Sequence, residues 1–138
     1  MLAKLASSVM LVAAISATKQ TETWFAYSRT AESVTGSIVL SSKALHMSHA
    51  DFPLHFALKS DHFGTATGPA TAKINQVMRP QNPILLNGNR LCRTPVRWIV
   101  LWQADRELLG VAAFDSKTMP FSVTSPGYCG SYYYSRTQ

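Results

Sequence analysis

All four histidines of the chain, His46, His49, His55 and His62, fall in one stretch that also holds Asp51 and Asp61. Imidazole nitrogens and carboxylate oxygens are the donors of tetrahedral Zn²⁺ sites, and Cu²⁺ accepts the same set. Strand alternation that turns Leu45 and Met47 inward turns His46 outward, and the same phase in Leu54-His55-Phe56 turns His55 outward. A hairpin looping through Ser48 to Pro53 would then pair residue 47 with 54 and 46 with 55. Directly opposed residues have Cβ atoms about 4.5–5.5 Å apart. His46, His49, Asp51 and His55 are therefore a candidate ligand set for Zn²⁺ or Cu²⁺. The competing explanation is an exposed polar hairpin with inert histidines, because H-x-x-H on a strand and loop is no recognised metal spacing. The chain is accordingly read as needing no cofactor, with a metal-binding hairpin as the alternative.

A second constellation is basic. Between Asp61 and Asp105 no acidic residue occurs, yet Lys73, Arg79, Arg90, Arg93 and Arg97 do. Guanidinium groups suit bidentate contact with phosphate or carboxylate. Arg90, Arg93 and Arg97 flank Cys92, so a bridge at that cysteine would hold their backbone still. They are the candidate ligand-binding residues, for a lipid headgroup or a polyanionic glycan. An evenly solvated basic surface that keeps the protein soluble is the preferred explanation of them.

Trp98 and Trp102 share a face with Val96 and Val100, which reads as core, while Tyr132, Tyr133 and Tyr134 put rings on both faces of the last strand. Trp24, Phe25 and Tyr27 do the same on the first strand, so the two strands would share an aromatic surface if they were neighbours. Aromatic rings beside arginines suit glycans or single-stranded nucleic acid. Export, argued below, speaks against nucleic acid.

Catalytic signatures are missing from the sequence. It has no G-x-S-x-G, no H-E-x-x-H, no Walker-type phosphate loop and no Gly-rich dinucleotide fingerprint. The carboxylates downstream of the N-terminal stretch are Glu22, Glu32, Asp51, Asp61, Asp105, Glu107 and Asp115, with no spacing that marks an acid–base pair. The chain reads as a binding protein rather than an enzyme.

Where such a protein works is set by its N-terminus. Met1 to Lys4 carry a free amine and one lysine, Leu5 to Ala17 follow without a charge, and Ala14, Ser16 and Ala17 are small. That is the order of a secretory signal peptide cleaved after Ala17, with an apolar run too short to span a bilayer. Residues 1–17 are thus expected as signal peptide and 18–138 as one domain, periplasmic or secreted. The full chain carries a formal charge of +6, and losing Lys4 leaves 12 basic against 7 acidic residues. In an oxidising compartment an even cysteine count reads first as a disulfide, here Cys92–Cys129.

The elements that must position these residues read as strands. With 46% hydrophobic and 14% charged residues, the 138-residue chain is neither a disordered tail nor a charged long helix. Short apolar or alternating segments run between Gly, Pro, Asn and Asp, and no segment sustains a helical apolar period. The expected strands are Trp24–Arg29, a face of Val34, Gly36, Ile38 and Leu40, then Leu45–Met47 and Leu54–Leu58. Ala72–Met78 follows, with Ile74 and Val77 out of phase, and Pro83–Leu86 leads into an Asn87-Gly88 turn. Val96–Trp102, Leu108–Phe114 and Tyr128–Ser135 complete the set. About eight antiparallel strands imply an all-β fold, a small lipocalin-like barrel in preference to a sandwich, because closure hides apolar edges.

The segments Thr35-Gly36, Leu85 to Cys92 and Gly127-Tyr128-Cys129-Gly130 resemble small exported bacterial single-disulfide β proteins of unknown function, which carry one cysteine after an Asn-Gly turn and another near the C-terminus. The resemblance implies export, a bacterial source and the Cys92–Cys129 pairing, and no functional residue. The expected role is binding an anionic envelope component or a protein partner.

Overall fold

Among the described residues ten strands form, the longer ones on alternating apolar side chains: β1 (Glu22–Ala26), β2 (Ile38–Leu40), β3 (Ala44–Met47), β4 (Leu54–Ser60), β5 (Gly64–Thr65), β6 (Gly68–Pro69), β7 (Ala72–Gln81), β8 (Val96–Asp105), β9 (Leu108–Phe114) and β10 (Tyr128–Ser135). The structure is a computed structural model that describes residues 20–65, 68–69 and 72–138, so the expected signal peptide lies outside the described residues. Eight strands pair antiparallel in the order β1-β10-β9-β8-β7-β4-β3-β2 and close into a barrel, while β5 and β6 form a separate ribbon. The barrel is thus realised rather than the sandwich, and its first and last strands are neighbours through Ala26 and Tyr134. No helix among the described residues is long and apolar enough to cross a membrane.

Every barrel strand sends a side chain into one buried cluster, including Trp24, Ile38, Met47, Phe56, Val77, Leu101, Val111 and Tyr134, and this cluster fills the lumen. A second cluster draws only on β7–β10 and the connections beside them: Ile74, Trp98, Val100, Trp102, Ala112 and Phe114, with Phe63 and Val123. It lies on the outside of the wall. Phe63 stacks on Trp102 at 6.5 Å between centroids, and Tyr133 meets Trp102 edge-on at 5.9 Å. Trp98 and Trp102 are core as expected, but of this outer layer. Val96 joins the lumen instead, where the β7–β8 ladder loses regular register between Gln76 and Gln81.

The two barrel ends differ. At one end the β1–β2, β3–β4, β7–β8 and β9–β10 connections gather, and Ala31, Leu85 and Leu91 from them join the lumen cluster as a plug. The expected long second strand is shortened there. Residues Ala31–Thr35 form a π-helical turn, Gly36 donates its N–H to the Ala31 carbonyl (2.8 Å), and only Ile38–Leu40 is extended. Gly36 has φ 66, and a Cβ at that position would collide with Ser48 and His49. Asn87 and Gly88 also have positive φ, 56 and 75, and Asn89 donates to the Leu86 carbonyl at 3.1 Å. The Asn-Gly turn expected from the sequence therefore forms, but between plug segments, not between strands. Cys92 and Cys129 are bridged, with Cα atoms 5.2 Å apart, tying the β7–β8 connection to β10.

Candidate functional site

Among the described residues, the opposite end is an open mouth. Two of its connections, 41–43 and 106–107, are short, the third leaves β4 toward the β5–β6 ribbon, and β1 begins and β10 ends at it. Inward alternation continues past Phe56 to Leu58, which pairs with Asn75, and past Asn75 to Lys73, which pairs with Leu101. On the facing wall Glu22 pairs with Leu40. Leu58 is 56% exposed although it points along the lumen phase, and no segment among the described residues covers it. The mouth holds a cavity of about 680 Å³ with an apolar wall of Leu40, Phe56, Leu58 and Leu101 and polar groups on Gln20, Glu22, Ser41, Ser42, Lys73 and Asn75. A recess of about 300 Å³ shares Glu22, Leu40, Lys73 and Leu101 with it and adds Trp24, Leu109 and Arg136.

Hydrogen bonds fix part of this rim. The Trp24 Nε1–H donates to Glu22 Oε2 at 3.1 Å. The Arg136 guanidinium lies 4.5 Å over the Trp24 ring and donates its Nε–H to the Arg106 carbonyl at 3.2 Å. Asn75, buried in the wall, donates to the carbonyls of Lys73 (3.1 Å) and Ile99 (3.2 Å). The one contact within 4.0 Å between a basic side chain and a carboxylate among the described residues is His62 with Asp61, so Lys73 has no carboxylate within that distance among them.

The arginines of the sequence reading sit at the plugged end. Arg90 and Arg93 are exposed and line a groove of about 660 Å³ together with Leu91, Asp115, Tyr128 and the Cys92–Cys129 bridge. Arg90 also donates to the Asn82 carbonyl, so it anchors the plug segment. Arg97, half-buried at the start of β8, is not part of that groove, and Asp115 folds into it from beyond β9.

The histidine hairpin has a different register from the one expected. His46 and His55 are exposed, as alternation requires, but Leu45 pairs with Leu54 and Ala44 with His55. The imidazoles of His46 and His55 are therefore not directly opposed. The reason is local: the Ala50 N–H takes the Met47 carbonyl (2.9 Å), and Pro53 has no N–H to extend the ladder. His49 lies against Gly36 instead, and Asp51 is exposed in the loop. Among the described residues, His46, His49, Asp51 and His55 do not gather within ligating distance of one another. The three potential ligands that do gather are Cys92, Asp115 and Cys129, whose sulfurs are committed to the disulfide.

Sequence reasoning missed the mouth. Its signal was the phase mismatch in β7, where Ile74 serves the outer layer and Val77 the lumen, which puts Lys73 on the lumen phase with Asn75. Comparison of the chain with protein-family models, curated proteins and solved structures finds no match in any of the three.

Proposed function

We propose that the chain is an exported, non-enzymatic binding protein that takes a small molecule with an apolar face into the open end of its barrel. The observation that carries this reading is Leu58, inward in phase yet 56% exposed beside a cavity of about 680 Å³. Small-molecule sites commonly have volumes of about 300–1,000 Å³, an apolar lining and a few polar groups. Covering Leu58 and the adjoining Leu40 and Phe56 removes apolar surface from water at roughly 25 cal/mol per Å². A binding role fits the lining found among the described residues, where the carboxylate Glu22 accepts the Trp24 indole N–H beside an apolar wall. Export is supported by the leader-like N-terminus and by the disulfide, which persists in oxidising compartments.

Titration with the neutral fluorophore N-phenyl-1-naphthylamine tests the reading. Saturable binding is expected, and Leu40→Asn with Leu58→Asn should remove it while leaving the melting temperature near that of the parent. Unsaturable binding, or binding indifferent to the double change, overturns it.

A second reading, attachment to an anionic envelope component through Arg90 and Arg93, is favoured by the groove those two share with Tyr128. It requires that Arg90→Ser with Arg93→Ser weaken retention on phosphatidylglycerol vesicles far more than Arg97→Ser does.

A further inference from the structure

We infer that the mouth selects a monoanion: a compact apolar body bearing one acidic group, carboxylate, sulfonate or phosphodiester, held at Lys73 with Arg136 as the second cation. The inference rests on the small-molecule reading above and names its ligand class. The side chains lining the cavity and its recess include two cations, Lys73 and Arg136, and one carboxylate, Glu22. Glu22 is already engaged, because one of its oxygens accepts the Trp24 indole N–H at 3.1 Å. Arg136 is held in place by the Trp24 ring and the Arg106 carbonyl, which costs its terminal N–H groups nothing and orients them beforehand. Lys73 lines both spaces and has no carboxylate within 4.0 Å among the described residues.

Position matters as much as charge. Lys73 is the direct cross-strand partner of Leu101, and Glu22 that of Leu40, so the cation stands one residue from the apolar wall. An acid group meeting the Lys73 ammonium leaves its attached apolar body over Leu101, Phe56 and Leu58. A neutral ligand gains only the wall, and an inorganic anion gains only the ammonium. The combination is what distinguishes the ligand.

Two probes of nearly the same shape separate these terms. 8-Anilinonaphthalene-1-sulfonate carries a sulfonate on the skeleton that N-phenyl-1-naphthylamine presents without charge. The sulfonate should bind about fivefold tighter, the upper end for an exposed ionic contact. Lys73→Gln should cancel that preference, so that within the variant the two probes bind alike, Lys73→Arg should restore it, and Lys117→Gln at the far end should leave it at the parent's ratio. Millimolar sodium sulfate should not displace the sulfonated probe beyond the ionic-strength effect of sodium chloride. Equal affinities for the two probes in the parent, or a preference that survives Lys73→Gln, overturns the inference while the small-molecule reading stands. Failure of both probes to bind removes that reading itself.

Discussion

Tyr134 shows how much one side chain settles at the plugged end. It is 1% exposed, and its hydroxyl lies 2.7 Å from Thr35 Oγ1. Thr35 Oγ1 is also 3.2 Å from the Ala31 carbonyl and 3.0 Å from that of Gly36, and a carbonyl only accepts. The single Thr35 hydrogen serves one of these partners at a time, and either hydroxyl can donate in the Tyr134–Thr35 contact. That bond links β10 to the π-helical turn of the plug. Burial holds the Tyr134 phenol above its ordinary range, the Thr35 hydrogen bond working against it and the neighbouring Tyr132 adding to it, and burial also raises Tyr132. An unfolded tyrosine ionises near about pH 10. Above that the unfolded chain binds fewer protons than the folded one, so stability falls as pH rises from there through the folded values. Tyr134→Phe should lower stability by about 1 kcal/mol at neutral pH, the worth of one hydrogen bond. It should also flatten the alkaline fall in melting temperature. Parallel parent and variant curves from about pH 8 to 11 would show that Tyr134 carries none of the fall.

Among the elements, the β8–β9 hairpin shows why its strands are apolar on both faces. Leu101 and Leu109 look into the lumen, whereas Trp102 lies outward across Gly110, its cross-strand partner, where a Cβ would run into the indole. Gly110→Ala must push Trp102 off its stack with Phe63 and its edge contact with Tyr133, costing about 1–3 kcal/mol as overpacking does. Differential scanning calorimetry reads that as a lowered melting temperature, and an unchanged one would mean that the outer layer yields freely. The β9 and β10 boundaries are legible in the sequence because segments rich in apolar or aromatic residues begin after Asp105-Arg106-Glu107 and after Gly127. That Val96–Trp102 is apolar on both faces and central is legible too, but what covers its outer face is not, since alternation reports a face without saying what packs on it. The His46–His55 register is lost for a similar reason, because it depends on a turn at Met47–Ala50 that no dipeptide in the loop announces. The mouth escaped sequence reading because its residues are separated by the length of the chain, from Glu22 to Arg136, and only closure of the barrel brings them together.

For the molecule as a whole, the division into a plugged end and an open end separates stability from binding. The Cys92–Cys129 bridge closes a 37-residue separation and ties the plug segment after β7 to the start of β10, the strand that seals the barrel against β1. On the chain-entropy model a loop of that size contributes about 3–4 kcal/mol, mainly by restricting the unfolded chain. For a domain of this length that corresponds to roughly 10 °C in melting temperature. None of the residues lining the mouth belongs to the bridged segments 82–95 and 115–129. Cys92→Ala with Cys129→Ala should therefore melt earlier by about that amount, yet bind N-phenyl-1-naphthylamine at 25 °C with the parent's affinity. Amide exchange should quicken in 82–95 and 115–127 and stay slow in β2 and β3, because local openings follow the contacts that were removed. If probe affinity falls while the variant remains folded, the plug and the mouth are one cooperative unit, and ligand binding at one end would then be expected to protect the disulfide at the other from reduction.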